Sequence, residues 1–414
     1  MACRKLLLGV CTLIILVTIG TPCLALTDIE FVTVWDPGNP ANYVPKKGDG
    51  STGYGSVDQI FNIGKYETTN LQYVDFLNAV AVGSDPNSLY HTSMGTTVWG
   101  GITRSGTLGS YVYSVRPHMG NKPVNFVSAY DASRFANWLH NGQPVGAQDA
   151  STTEDGAYTF SGFETISDRN PGAKFFIPTE HEWEKSAFYQ PGVAGSIGNG
   201  WWGYVSRTKV FPTLSTVDAF GNVTNPSNNT VNFQQLSNWN GTIDGNVTTV
   251  GSAGQQSFFG AYDMSGNVFE WTVADPTKPD PNGWGPYTVR GGSFTNAGHV
   301  FVEERNMVHH DNHGVVRQDV GFRMAAAYEF DAADFNEDMV VDGDDLLVWQ
   351  SNFGAGSDGD ANGDGFTDGS DFLVWQRNLP TTAVTAIPEP GALLLSSVMM
   401  LFAGRRRHRT SGKQ

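Results

Sequence analysis

The chain has 414 residues and 40 % hydrophobic content, enough for two or three domains of about 150 residues with real cores. Only 16 % of residues are charged, below the roughly 25 % of an average globular protein, and Gly, Asn, Ser and Thr fill the difference, which fits a loop-rich extracellular fold. The first 25 and last ten residues carry seven of the 25 cations and no acid, so the middle sets 18 cations against 41 acids, a charge of −23 that excludes nucleic acid as a partner.

Residues 1–25 read as a signal peptide: Arg4 and Lys5 give a positive start, Leu6 to Ile19 an apolar stretch, and Cys23-Leu24-Ala25 a small-residue cleavage site. The apolar run is shorter than the about 20 residues of a spanning helix, so the expectation is export. All three cysteines, Cys3, Cys11 and Cys23, lie in this leader. Its removal leaves no disulfide, no thiolate metal site and no cysteine nucleophile.

Residues 26–328 form the large domain. Three capping boxes predict helix starts: Thr69 with Gln72, Ser128 with Asp131, and Thr179 with Glu182. The helices they open carry Tyr73, Phe76 and Leu77, then Phe135, Trp138 and Leu139, then Trp183 and Ala187. The remainder is Gly-rich, with short strands and long loops.

Six stretches stand in order here: Ile63-Gly-Lys-Tyr-Glu-Thr-Thr-Asn70, Pro123-Val-Asn-Phe-Val-Ser-Ala-Tyr-Asp131, Ile177-Pro-Thr-Glu-His-Glu-Trp-Glu184, Gly260-Ala-Tyr-Asp-Met-Ser-Gly-Asn-Val-Phe-Glu-Trp271, Arg290-Gly-Gly-Ser-Phe294 and Gly321-Phe-Arg323. Together they resemble the formylglycine-generating enzyme family, the sulfatase-modifying factors, over nearly all of residues 55–326. The resemblance implies an α+β fold of the C-type-lectin-like kind with sparse regular secondary structure. It also implies oxidation of a substrate cysteine at a copper(I) held by two cysteines just after the Arg-Gly-Gly-Ser-Phe motif. Those places are held here by Asn296 and Phe301, which supply no thiolate for a soft ion, so no copper is expected and the catalytic set is empty. The resemblance further implies a structural Ca2+ held by Asp263, the carbonyls of Gly266 and Val268, and Glu270, an all-oxygen set suited to a hard cation; the alternative is that Asp263 and Glu270 only cap turns.

Other candidates have plainer readings beside the chemical one. His309-His310-Asp311-Asn312-His313 is a metal cluster or a polar loop. Glu182 and Glu184 are an acid pair, or else a capping residue and a helix-surface residue. Arg290 and Arg323 read as buried structural arginines. Trp201, Trp202, Trp239 and Trp284 stack on sugar rings or anchor loops.

A 26-residue repeat occupies 332–380. Its copies place Asp334, Asn336, Asp338, Val340, Asp342 and Asp345, and Asp360, Asn362, Asp364, Phe366, Asp368 and Asp371, at loop positions 1, 3, 5, 7, 9 and 12. Side-chain oxygens at 1, 3, 5, 9 and 12 with a backbone carbonyl at 7 are the ligand spacing of an EF-hand loop. Residues 332–379 hold eleven acids and one cation, Arg377, a density that repels itself open without a bound cation. The pair, each loop followed by one helix beginning near Leu346 and Phe372, resembles a small helical dockerin type I module and implies two Ca2+ and a cohesin-like partner. Met339 stands at loop position 6, where Gly365 stands in the second copy, so the first loop is expected to be the weaker.

A linker, 381–387, leads to Pro388-Glu389-Pro390, an apolar run from Gly391 to Ala403, and Arg405-Arg406-Arg407. This order, over 388–409, resembles a PEP-CTERM sorting signal. It implies an exosortase-type sorting enzyme as partner, transient contact with the inner membrane, and delivery to the cell surface or extracellular matrix. About 13 apolar residues are short for a lasting anchor, and the arginines favour the cytoplasmic side. Two function classes follow: a non-catalytic surface module binding a glycan or protein, and a modifying enzyme of altered, non-cysteine chemistry.

Overall fold

The computed structural model describes residues 26–46, 50–162, 165–275, 277, 286–295, 316–354 and 356–379. The leader, the sorting tail, Asn296, Phe301, the His309–His313 run and Trp284 lie outside the described residues. The chain divides into two units, one up to Tyr328 and one from Glu329. Among the described residues no helix is long and apolar enough to cross a membrane.

In the first unit all three capping boxes close as expected. Thr69, Ser128 and Thr179 accept from the backbone three residues on, and Gln72, Asp131 and Glu182 reach back to the cap, opening the helices Asn70–Val80, Ala129–His140 and Glu180–Phe188. The first two helices bring Tyr73, Phe76, Phe135, Trp138 and Phe322 into one aromatic core, with Phe76 and Phe135 edge-on at 5.3 Å and Phe135 against Phe322 at 5.5 Å. Such pairs contribute about 0.5–1.5 kcal/mol each beyond the area they bury.

The strands are short. Phe61–Gly64 lies between Phe31–Val34 and Ala325–Ala327, with Phe175–Phe176 on the outer side of the last, all antiparallel. This sheet joins the beginning of the domain to its end. A second sheet sets Phe269–Val273 between Tyr287–Arg290, antiparallel, and Val320–Gly321, parallel. It thereby aligns Glu270 opposite Arg290 and beside Gly321. A hairpin, Ile102–Ser105 with Val112–Val115, and a small parallel pair, Thr213–Leu214 with Thr230–Val231, complete the strands described.

In the second unit each acidic loop leads into one helix, Gly343–Asn352 and Gly369–Asn378. Both begin three residues before the expected Leu346 and Phe372, because Asp342 and Asp368 cap them and Asp345 and Asp371 complete the boxes. The indole of Trp349 donates to the Asp368 carbonyl and that of Trp375 to the Asp342 carbonyl, each at 2.8 Å. Each helix therefore pins the loop of the other copy over a small core of Ala333, Val341 and Trp375.

Candidate functional site

The family motifs of the first unit converge on two buried ionic clusters. The first rests on the helix Glu180–Phe188. Glu184, expected on its surface, is wholly buried. One of its oxygens accepts from Lys46 at 2.6 Å and Asn42 at 2.8 Å, and the other accepts from Arg290 at 2.6 Å. Helical spacing alone put Glu184 outside; the loop Asn42–Lys46 folds over that face and brings the cation that neutralises it. Burial pushes the Glu184 carboxyl up, but the Lys46 and Arg290 charges outweigh it and hold it below its ordinary value. Glu182 caps its helix as expected and in addition takes both arms of Arg169, at 2.9 and 2.7 Å.

The second cluster joins four motifs. Arg323 donates to both oxygens of Glu270, at 2.5 and 2.6 Å, and to the carbonyls of Gly64 and Tyr262. The Trp183 indole donates to the same carboxylate at 2.7 Å. Asp263, at a positive φ of 55°, accepts from the Gly251 amide. Glu67, 1 % exposed, accepts from Asn267 and from the Val268 amide. Sequence reasoning passed over Glu67, Lys46 and Arg169; Glu67 stood inside a quoted motif, and its signal was an acid amid residues that had to be buried. Burial, with Asp263 and Glu270 nearby, drives the Glu67 carboxyl well above its ordinary value and Asp263 up to about 6. The structure thus gathers Asp263 and Glu270 with the turn bearing Gly266 and Val268. The positive charge facing Glu270 is however the Arg323 guanidinium. A calcium ion fits this carboxylate poorly, since both oxygens already serve a cation.

In the second unit the two loops repeat one hydrogen-bond scheme. Asp334 accepts from the amides of Asp338 and Met339, and Asp360 from those of Gly363, Asp364 and Gly365. Asn336 and Asn362 each accept from the amide two residues on, as do Asp338, Asp364, Asp342 and Asp368. Asp345 and Asp371, both wholly buried, close their loops onto the amides of Asn336 and Asp342, and of Asn362 and Asp368. Val340 and Phe366 occupy position 7, each with its side chain exposed. Among the described residues no group of three or more His, Cys, Asp or Glu is placed to hold a metal ion. The donors that line each loop are nonetheless all oxygen, and none of the described loop acids is ion-paired with a protein cation. Burial, with Asp345 and Asp338 nearby, raises the Asp334 carboxyl.

Met339 adopts a φ of 75° where Gly365 has 91°, so the first loop places an L side chain in the left-handed region. That conformation costs about 1–2 kcal/mol for a residue with a Cβ. Met339→Gly is expected to raise calcium affinity at the first loop roughly tenfold. Calorimetry on both proteins checks this; unchanged affinity would rule out strain as the weakness of that loop.

Residues 53–328 match the sulfatase-modifying factor enzyme 1-like domain, two thirds of the chain. The chain belongs to this family. Solved structures similar to the sulfatase-modifying factor domain include Treponema denticola variable protein 1, at 18 % identity and TM-score 0.42, covering 74 % of this chain and 97 % of that one. CarF follows at 21 % identity and TM-score 0.40, with 73 % and 99 % covered. PvdO from Pseudomonas aeruginosa has 19 % identity and TM-score 0.37, with 72 % and 92 % covered. No curated protein matches the chain.

Of the tryptophans considered for sugar stacking on the sulfatase-modifying factor domain, Trp201 and Trp239 are instead buried loop anchors. Their indoles donate to the carbonyls of Pro40 and Val247. Trp202 is half-buried and bonds Gln190. Arg290 and Arg323 are wholly buried within ion clusters.

Proposed function

We propose that this protein is an exported surface or extracellular-matrix component whose sulfatase-modifying factor domain binds a glycan or protein without catalysis, joined to a calcium-binding, dockerin-like spacer and a PEP-CTERM sorting tail. One observation carries the non-catalytic reading: the three cysteines of the chain are Cys3, Cys11 and Cys23, and Asn296 and Phe301 stand where the copper-holding pair belongs. Copper(I) needs soft ligands, and an amide and a phenyl ring supply none. The residues at these positions do not fit that metal. The buried arginines and glutamates favour the same reading, because their charges are spent on each other.

Calcium is proposed at the two acidic loops, through Asp334, Asn336, Asp338, Asp342, Asp345 and the Val340 carbonyl, and the corresponding residues of the second copy with the Phe366 carbonyl. The repeated hydrogen-bond scheme supports it, as does the lack of ion pairs to those acids among the described residues. No third calcium is proposed near Glu270, where Arg323 stands.

The reading is tested by incubating the purified chain with copper(I) and a cysteine peptide of sulfatase type, followed by mass spectrometry of the peptide. The expected result is an unchanged cysteine; appreciable formylglycine would favour the enzyme of altered chemistry.

A further inference from the structure

A cavity of about 380 Å³ opens on the first unit, lined by His118, Gly120, Asn121, Lys122, Phe220, Asn222 and Thr249. Its volume falls at the lower end of the about 300–1,000 Å³ of small-molecule sites. None of its residues belongs to the ionic clusters above.

One wall is aromatic. Phe220 is 50 % exposed, and its ring lies 4.6 Å from that of His118. The turn that presents Phe220 is fixed: Asp218 accepts from the amides of Phe220 and Asn222 and from the Asn222 side chain. The next residue, Gly221, has φ +74° and lies so close to the Trp239 ring that a Cβ would come within 2.4 Å of it. The platform is therefore pre-formed rather than a loose hydrophobic side chain.

The floor is a cation without a direct ion pair. The Lys122 ammonium donates to the Phe220 carbonyl at 2.9 Å and to the Thr249 hydroxyl, and it lies 4.9 Å from the centre of the Trp239 ring. These are neutral partners, and no carboxylate stands within ion-pair distance of Lys122 among the described residues. The Asp218 carboxylate, held by its own turn, acts on this ammonium from beyond ion-pair distance, so the direct position for an anion on Lys122 is open. Burial pushes this amine down to about 8 against the pull of Asp218, and a bound carboxylate would raise it.

The rim is amide. Asn121 is exposed and makes no side-chain hydrogen bond among the described residues, and Asn222 keeps one amide hydrogen beyond that given to Asp218. An apolar face beside planar amides suits the C–H face and hydroxyls of a pyranose. A peptide carboxylate is captured instead by free backbone N–H groups, and here the Phe220 and Asn222 amides are spent on Asp218.

We infer that this cavity binds a carboxylated sugar of the uronic acid class, with its ring on Phe220 and His118, its hydroxyls on Asn121 and Asn222, and its carboxylate on Lys122. The inference deepens the glycan-binding reading above and rests on it.

The full chain, titrated calorimetrically with methyl glucuronide and with methyl glucoside, is expected to bind the glucuronide at least about tenfold more tightly. Phe220→Ala, at an exposed position, is expected to weaken glucuronide binding about tenfold. Lys122→Met is expected to erase the preference between the two sugars, with its melting curve showing that the buried substitution leaves the fold intact; Asn121→Ala, on the rim, weakens both sugars and keeps the preference. Equal affinity for both sugars, full glucuronide binding by Phe220→Ala, or tighter binding of a short peptide acid would each overturn the assignment. If these outcomes are negative while other glycans bind on an array, the cavity assignment falls and the binding reading stands. Formylglycine formation removes the binding reading, whatever these titrations show.

Discussion

Replacing Asp371 by Ala is expected to abolish calcium binding at the second loop and to unfold most of the second unit. Asp371 is wholly buried, and its two oxygens hold the amides of Asn362 and Asp368. Truncation leaves two part-buried donors without partners, at about 1–3 kcal/mol each, one of them the reciprocal bond of the helix cap. A unit of this size draws only about 3–5 kcal/mol from its core, so the loss is comparable with everything that holds it. The effect should not stay local, because Trp375, on the helix Asp371 opens, donates to the Asp342 carbonyl of the first loop. The expected calorimetric stoichiometry falls from two calcium ions per chain to one or none, and helical circular dichroism falls with it. Asp371→Asn keeps the shape and one acceptor while deleting the charge, so it should lose calcium but retain part of the helix. Two full-strength sites in Asp371→Ala would sink both the ligand assignment and the coupling.

How much of this was legible in the sequence depended on how local the cause was. The capping boxes at Thr69, Ser128 and Thr179 act over three residues, and all three helices start where the pattern places them. In the second unit the left-handed backbone at Met339 was legible for the same reason, while both helices begin three residues before Leu346 and Phe372. Glu184 was misplaced because its partners, Lys46 and Arg290, lie 138 and 106 residues away and nothing in the helix names them. Trp201 and Trp239 stood open between sugar stacking and loop anchoring, and the distant carbonyls of Pro40 and Val247 decide for anchoring. The Phe220 cavity was not legible at all, since it is assembled from three segments, 118–122, 220–222 and Thr249, each unremarkable alone.

A common logic links the two units. With no cysteine beyond Cys23, neither can be stapled by a disulfide. The larger one gains definition from buried ion clusters that tie its motifs across the chain, Lys46 to Glu184 and Arg323 to Glu270. Among its described residues the smaller has no such pair and an excess of acid, a charge that a bound cation would offset. Buried pairs contribute little net stability when intact and cost much when halved. Their use here is therefore register: each joins segments that short strands alone would hold loosely.

That asymmetry gives the largest effect expected in the first unit. Arg323→Met leaves Glu67, Asp263 and Glu270 buried together without the guanidinium that offsets them, and frees the carbonyls of Gly64 and Tyr262. The cost of halving such a pair is about 3–5 kcal/mol, a large part of the about 5–15 kcal/mol that holds a domain. Its size should depend on pH. Burial pushes Asp263 up to about 6 and Glu67 well above its ordinary value. A carboxyl whose folded value is raised keeps its proton in the folded chain after the unfolded chain has lost it. Stability from that proton is present at low pH and is lost as pH rises through the folded value. Arg323 is a charge that lowers both groups, so its loss moves them further up and widens the window. Urea unfolding of Arg323→Met should therefore show a smaller deficit at pH 5 than at pH 8. The double variant Arg323→Met with Glu270→Gln should be less destabilised at pH 8 than Arg323→Met alone, because one orphaned charge is gone. An equal deficit at both pH values would mean that the three carboxylates do not share Arg323 as their counter-charge.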